Sequence, residues 1–240
     1  METIVFFDTE INIKTGMILD IGGIKQNGSL LHSSSITEFV SFMNGVTTIC
    51  GHNIINHDLK YVKNAIVNLV INPSNCVDTL FLSPLLFPLK PYHALIKDDK
   101  LQSDELNNPL NDSIKAKDLF FDEVAAFQKL DEQMKNIFYL LLKDKPGFAA
   151  FFKFLNFSST EDTIEKIIHE KFKNEICEHA NLSDIISKMP IELSYCLATI
   201  NTNDRHSITP AWVQKNFQNV DQVMFLLRNN PCFEGCAFCN

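Results

Sequence analysis

Residues 4–7, Ile-Val-Phe-Phe, form an unbroken apolar run, and the next three positions alternate as Asp8, Thr9, Glu10. Four β-formers in a row are too few for a helix and predict a short buried strand. Strand side chains repeat every two residues, so Asp8 and Glu10 point the same way at its end. Like charges so placed repel, and no Lys or Arg precedes Lys14. A divalent cation with oxygen ligands would offset them.

Downstream, "MILDIGGIKQNG" and "SLLHSSSI" read as a hairpin turning at Asn27-Gly28. Thr37 is placed to cap a short helix over "EFVSFMNG", which Gly45 would end. "TTICGHN" reads as a strand, and the apolar positions 55, 59, 62, 66 and 69 that follow have helical spacing. "CVDTLFLSPLLF" is a strand passing into a helix, and Pro109 suits the first turn of a helix over "PLNDSIKAKDLFFDEVAAF". From about residue 123 only helical patterns occur, among them "DEQMKNIFYLLLKDK", the Phe-rich "GFAAFFKFLNF" and "TPAWVQKNFQNVDQVMFLLRNN", the last capped by Thr209 with Pro210 at its first position. The expected fold is α/β, a mixed sheet flanked by helices over residues 1–125. An all-helical subdomain over 126–231 and a cysteine-rich tail over 232–240 would follow.

Composition adds limits. A hydrophobic content of 45% with 21% charged residues is ordinary for a globular chain. No 18-residue apolar span and no basic leader occur, so a membrane-spanning or secreted protein is not expected. Seven unevenly spread cysteines fit a reducing cytoplasm better than a disulfide framework. A net charge of −8 excludes a broad basic DNA-binding face. It does not exclude a nuclease: residues 1–120 carry 9 Lys+Arg against 13 Asp+Glu, a deficit that two divalent ions would cancel. No G-x-x-x-x-G-K-[ST] loop is present, so these residues are not a phosphate-loop ATPase.

Two further acids fall at helix starts. In "GHNIINHDLKYV", Asn53 follows a strand and Asp58 lies in the first turn of a helix; in "NNPLNDSIKAKDLF", Asp112 is early on another helix. Taken singly these are weak signals, because "DTE" is common and a first-turn Asp is more often a dipole-favoured cap. Taken in order, over residues 3–125, they resemble the DEDD exonucleases, a ribonuclease-H-like family that includes polymerase proofreading domains. "FDTE" matches the first motif. The second is similar to that of family B proofreading domains, with His57 in place of an aromatic residue, and "VDTL" with Asp78 resembles a segment between the second and third motifs. The resemblance implies that Asp8, Glu10, Asp58 and Asp112 bind two Mg²⁺ or Mn²⁺ ions, with Asn53 and Thr9 beside the substrate. The reaction implied is 3′–5′ hydrolysis of phosphodiester bonds at DNA 3′ ends, in which two cations about 4 Å apart orient water and stabilise the leaving oxygen.

One departure from the family matters. Its members place a His five residues, or a Tyr four residues, before the last Asp to assist the attacking water. Those positions are Asn107 and Asn108 here. An amide cannot accept a proton near neutral pH, and loss of a general base typically costs about 10²–10⁴ in rate. His93 and His57 are the candidate substitutes, with Asn107 itself the residue at the vacated position. The alternative is a weak or inactive module that binds nucleic-acid ends.

Cys232, Cys236 and Cys239 have C-x₃-C-x₂-C spacing, which favours zinc or an iron–sulfur cluster. A fourth ligand would come from beyond the chain, from His206 or from Cys177. Phe151, Phe152 and Trp212 lie in apolar helical stripes and are expected in the core rather than stacked on bases. The chain as a whole resembles the N-terminal region of large bacterial RecQ-like ATP-dependent DNA helicases, through "CGHNIINHDLKY", "PLLFPLKPYH", "LNNPLNDSIKAKDLF" and "CFEGCAFCN". The partners this implies are single-stranded or 3′-ended DNA and the helicase motor of the same full-length chain, with no membrane.

Overall fold

The computed structural model describes residues 3–67, 73–95, 108–160, 163–204, 208–230 and 232–239. In chain order the strands are β1 (Ile4–Ile11), β2 (Ile18–Lys25), β3 (Leu30–Ser33), β4 (Thr48–Gly51) and β5 (Cys76–Asp78). The helices are α1 (Ile36–Phe42), α2 (Leu59–Val62), α3 (Thr79–Leu86), α4 (Pro109–Lys129), α5 (Glu132–Leu142), α6 (Ala149–Phe154), α7 (Ile164–Lys171), α8 (Leu182–Lys188), α9 (Pro190–Ile200), α10 (Ala211–Asn216) and α11 (Val220–Met224). Among the described residues, no helix is long and apolar enough to cross a membrane.

The strands form one mixed sheet in the order β3-β2-β1-β4-β5, so the α/β expectation holds. β2 runs antiparallel to β1, and β4 runs parallel to it. The Asn27-Gly28 turn is present: Gly28 has φ +89°, and the Asn27 Oδ1 accepts the Ser29 N–H at 3.0 Å. Alternation along β1 sends its side chains to two different layers. Val5 and Phe7 face a core with Ile21, Phe39, Met43, Ile49, Ile54 and Val62. Phe6 faces the other way, its ring centroid 5.5 Å from Phe120 and 6.2 Å from Phe121, both on α4. By the same alternation, Asp8 and Glu10 leave β1 on the α4 side.

The contact between α4 and the sheet is set by a glycine. Gly22 of β2 lies opposite Asp8 in the pairing register. A Cβ at Gly22 would run into the backbone of Pro109 and Leu110, so only glycine lets the start of α4 sit directly on the strand. Ser113 fastens the seat, its one hydroxyl hydrogen shared between the Gly22 carbonyl at 2.9 Å and the Pro109 carbonyl at 2.7 Å.

The chain divides into two compact units. The sheet unit takes Met1–Leu82, Ala94–Ala125 and Asp144–Leu155; the helical unit takes Ser83–His93, Ala126–Lys143 and Asn156–Asn240. Asp144–Leu155 belong with the sheet because Gly147, at φ +85°, gives its carbonyl to the Asp78 N–H at 3.1 Å. Phe148 and Phe154 then pack on Phe81 and Phe120 at 5.7 and 4.9 Å. Phe151 and Phe152 are buried, as their apolar stripe predicts, whereas Trp212 is only half-buried. In the helical unit, Asp131 caps α5 by accepting the Met134 N–H at 3.0 Å, and it meets Lys171 of α7 at 2.6 Å.

Three local expectations are corrected. Ser35, not Thr37, caps α1, accepting the Glu38 N–H. The helix predicted from the spacing of residues 55–69 is only the single turn of α2, while residues 68–72 lie outside the described set. The helix predicted from Thr209 onward starts at Ala211 with Pro210 as its cap and breaks at Phe217–Asn219. It resumes as α11 and a wider π turn over Phe225–Asn229.

Candidate functional site

The strand order reverses between β1 and β4, because the chain moves outward from β1 to β2 and β3 before returning on the other side. In open α/β sheets, ligands bind at such a switch point, beyond the carboxyl ends of the parallel strands. The residues there are those the motifs selected. β1 carries Asp8, Thr9 and Glu10 just before its last residue; β4 leads into Asn53, His57 and Asp58; β5 ends at Asp78.

β4 pairs with β1 only as far as Phe6, which leaves later N–H groups of β1 facing the gap. Asp58 fills it. One carboxylate oxygen accepts both the Thr9 N–H at 2.9 Å and the Thr9 hydroxyl at 2.6 Å. Asp58 is 1% exposed and Thr9 is 3% exposed. Thr9, expected beside substrate, thus has both its donors turned to Asp58. Asp8, Glu10 and Asp112 are half-buried. Asp8 pairs with Gly22, on which the first turn of α4 rests, and Asp112 is in that turn.

The loop between β4 and α2 is held by a carboxylate from β5. Asp78 is fully buried and accepts N–H groups from Asn53 at 2.8 Å, Leu80 at 3.0 Å and Ile55 at 3.1 Å. Burial pushes Asp78 up to about 7, against these three donors, which favour its ionised form. Asn53 has φ +63°, a conformation that Asn tolerates better than most residues, and its Oδ1 accepts from the Asn56 amide at 3.2 Å. A second buried carboxylate, Glu123 on α4, lies by Cys50 of β4; burial, then the charges of Glu123 and Asp78, push that thiol well up. Glu123 was not among the sequence candidates. Its signal was an acid among Ala116, Phe120 and Phe127, the buried positions of α4.

The candidate bases have separate environments. His57 is largely exposed, with Nδ1 3.4 Å from Asp58; that hydrogen bond raises its pKa despite partial burial. His93 belongs to the helical unit, is buried, and has Nδ1 2.8 Å from the Ser83 hydroxyl. Burial, reinforced by Lys90, pushes it down to about 4. Asn107 lies outside the described residues. The neighbouring Asn108 caps α4, its Oδ1 accepting the Leu110 and Asn111 N–H groups at 3.0 and 3.3 Å.

A second site lies in the helical unit. The sulfurs of Cys177, Cys232, Cys236 and Cys239 are within 4.8 Å of one another and could bind a metal. Of the fourth ligands expected from sequence, the structure brings Cys177; His206 lies outside the described residues. Among the described residues this is the group of three or more His, Cys, Asp or Glu side chains gathered so tightly, and Asp8, Glu10, Asp58 and Asp112 do not form such a group. Comparisons with protein-family models, with curated proteins and with solved structures found no match.

Proposed function

We propose that the sheet unit is a Mg²⁺- or Mn²⁺-dependent 3′–5′ exonuclease domain of the ribonuclease-H-like class acting on DNA. The five-stranded mixed sheet is compatible with that fold. The supporting observation is the placement of Asp8 and Glu10 on the α4 side of the central strand, with Asp112 in the helix turn seated on the residue paired with Asp8. Half-buried carboxylates at strand and helix ends are the hard oxygen donors such cations take. When bound, the cations would lower the pKa of the attacking water and stabilise the leaving 3′ oxygen.

Asp8, Glu10 and Asp112 would hold the ions, and Asp58, anchored by Thr9, would complete the set at the β1–β4 crevice. Asn53 presents its side chain from the loop that Asp78 clasps. His57, beside Asp58 and open to solvent, is better placed to assist water than the buried His93. The domain would serve the helicase motor of a longer chain. A reducing cytoplasm would keep its seven cysteines out of disulfides, and none is in one.

The test is shortening of an end-labelled single-stranded DNA with Mn²⁺, comparing the natural protein with Asp8→Ala. Loss of one nucleotide at a time from the 3′ end, abolished by the substitution, supports the enzyme. A second reading has its own support: the Asn108 side chain is spent on a helix cap, where the family has a base. On that reading the domain guides a 3′ end to the motor without cutting it. DNA-end binding with no shortening at any pH would favour it.

A further inference from the structure

We infer that Cys177, Cys232, Cys236 and Cys239 hold a single zinc ion, and that this ion fixes residues 232–239 to the helical unit. The inference is independent of the nuclease reading.

Distance selects a single tetrahedral ion over a cluster. Zinc–sulfur bonds of about 2.3 Å in a tetrahedron put the sulfurs about 3.8 Å apart. The Cys177 and Cys236 sulfurs are 4.0 Å apart, and all four lie within 4.8 Å of one another. An iron–sulfur cube interposes an iron under every thiolate and would spread the sulfurs to roughly 6 Å. Disulfides are also a poor description, since a bond needs sulfurs about 2.05 Å apart and all four thiols are free. Four cysteines leave no open coordination position, which marks a structural rather than a catalytic ion.

The backbone is already shaped around the sulfurs. Gly235, at φ +69°, donates its N–H to the Cys232 carbonyl at 3.3 Å, and Cys239 donates to the Cys236 carbonyl at 3.1 Å. These two tight turns bring three cysteines of an eight-residue segment to one point. Cys177 is pinned opposite them by its N–H bond to the Leu227 carbonyl at 2.8 Å.

The segment has little else to hold it. Of residues 232–239 only Cys236 is buried, and Phe233 is 98% exposed. His179 meets Glu234 at 3.2 Å, but both are exposed, and such pairs contribute little. Arg228 lies 6.0 Å from the Phe238 ring, at the limit of a useful cation–π contact. Without a core of its own, an ordered segment of this size depends on a cross-link.

The experiment measures metal in the 240-residue chain purified under reducing conditions without added metal. About one zinc per chain is expected by elemental analysis, with zinc lost in Cys177→Ser and Cys232→Ser but retained in Cys76→Ala. Replacement by Co²⁺ should give the visible bands of a tetrahedral thiolate site. In the natural protein, chelation should open residues 232–239 to protease while cleavage within the sheet unit stays unchanged, a readout that needs no variant to fold. Iron with a visible chromophore, a disulfide detected by mass, zinc retained in both serine variants, or protease resistance unaffected by chelation would each overturn the proposal.

Discussion

Thr9 donates its backbone N–H and its hydroxyl to the same oxygen of Asp58, at 2.9 and 2.6 Å. The acid of one motif is therefore held by the residue between the two acids of another, 49 positions away in sequence. Removing the hydroxyl while keeping the shape tests the tie. Thr9→Val should cost about 1.5–3 kcal/mol, the range for a hydrogen bond to a charged group, and Thr9→Ser should recover most of it. Urea denaturation measures both. A valine variant as stable as the natural protein would mean that Asp58 is not held this way.

Gly22 and Gly23 are adjacent in β2 but differ in what an added methyl would meet. At Gly22 it strikes the backbone of α4; at Gly23 it comes 3.1 Å from the Phe42 ring, a side chain that can move. Gly22→Ala should therefore destabilise by about 3 kcal/mol or more, and Gly23→Ala by about 1 kcal/mol. If the sheet unit is a nuclease, its activity should fall with Gly22→Ala under conditions where the variant is still folded, because Asp112 rides on the displaced helix. Thermal denaturation with circular dichroism separates the two variants.

Asn53 has a left-handed backbone, and its side chain is proposed to meet substrate; two substitutions separate these roles. Asn53→Ala should cost about 1 kcal/mol, since a Cβ without a local polar partner is disfavoured at φ +63°. Asn53→Gly should keep the stability, because glycine takes this conformation freely. If the side chain binds DNA, the glycine variant will be stable yet raise KM; unchanged KM would leave Asn53 only a turn residue.

Asp131 sets a pH dependence in the helical unit. Burial works to raise its pKa, but the hydrogen bond from Lys171 and the Met134 N–H outweigh it, and the net shift is downward from 3.8. A depressed carboxyl pKa contributes stability that is present above 3.8 and is lost as pH falls through the lowered folded value. Asp131→Asn keeps a capping side chain and removes the charge. The natural protein should exceed this variant in stability by under about 1 kcal/mol near neutral pH, as for other partly exposed pairs. That difference should vanish as the solution is acidified below pH 3.8. A constant difference across that range would assign the effect to the cap alone.

Much of the sheet was legible in the chain because its signals are local. The step from Ile-Val-Phe-Phe to alternating Asp8 and Glu10 gives β1 and the shared direction of the two acids, and Asn27-Gly28 gives the β2–β3 hairpin. What was missed depends on contacts distant in sequence. The spacing of residues 55–69 reads as a long helix, but Asp78 draws the Asn53 and Ile55 N–H groups into a loop, leaving a single described turn at Leu59–Val62. Asn108 read as a missing base, and its capping role emerges only with Leu110 and Asn111 in place. Cys177 was one of several candidate fourth ligands because 54 residues separate it from Cys232. Nothing in that interval indicates that the two sulfurs converge.

The hydroxyl of Ser113 reaching the Gly22 carbonyl spans 91 residues. Contacts of such range are slow to form, because loop closure must be achieved before they contribute. During synthesis, the paired acids of β1 leave the ribosome about a hundred residues ahead of the turn that carries Asp112. The nascent chain therefore passes through an interval in which its strands can pair while the turn that carries Asp112 is not yet seated on β2. If these acids cut DNA, the domain is harmless to nucleic acid until α4 has docked, and the order of emergence acts as its own safety catch.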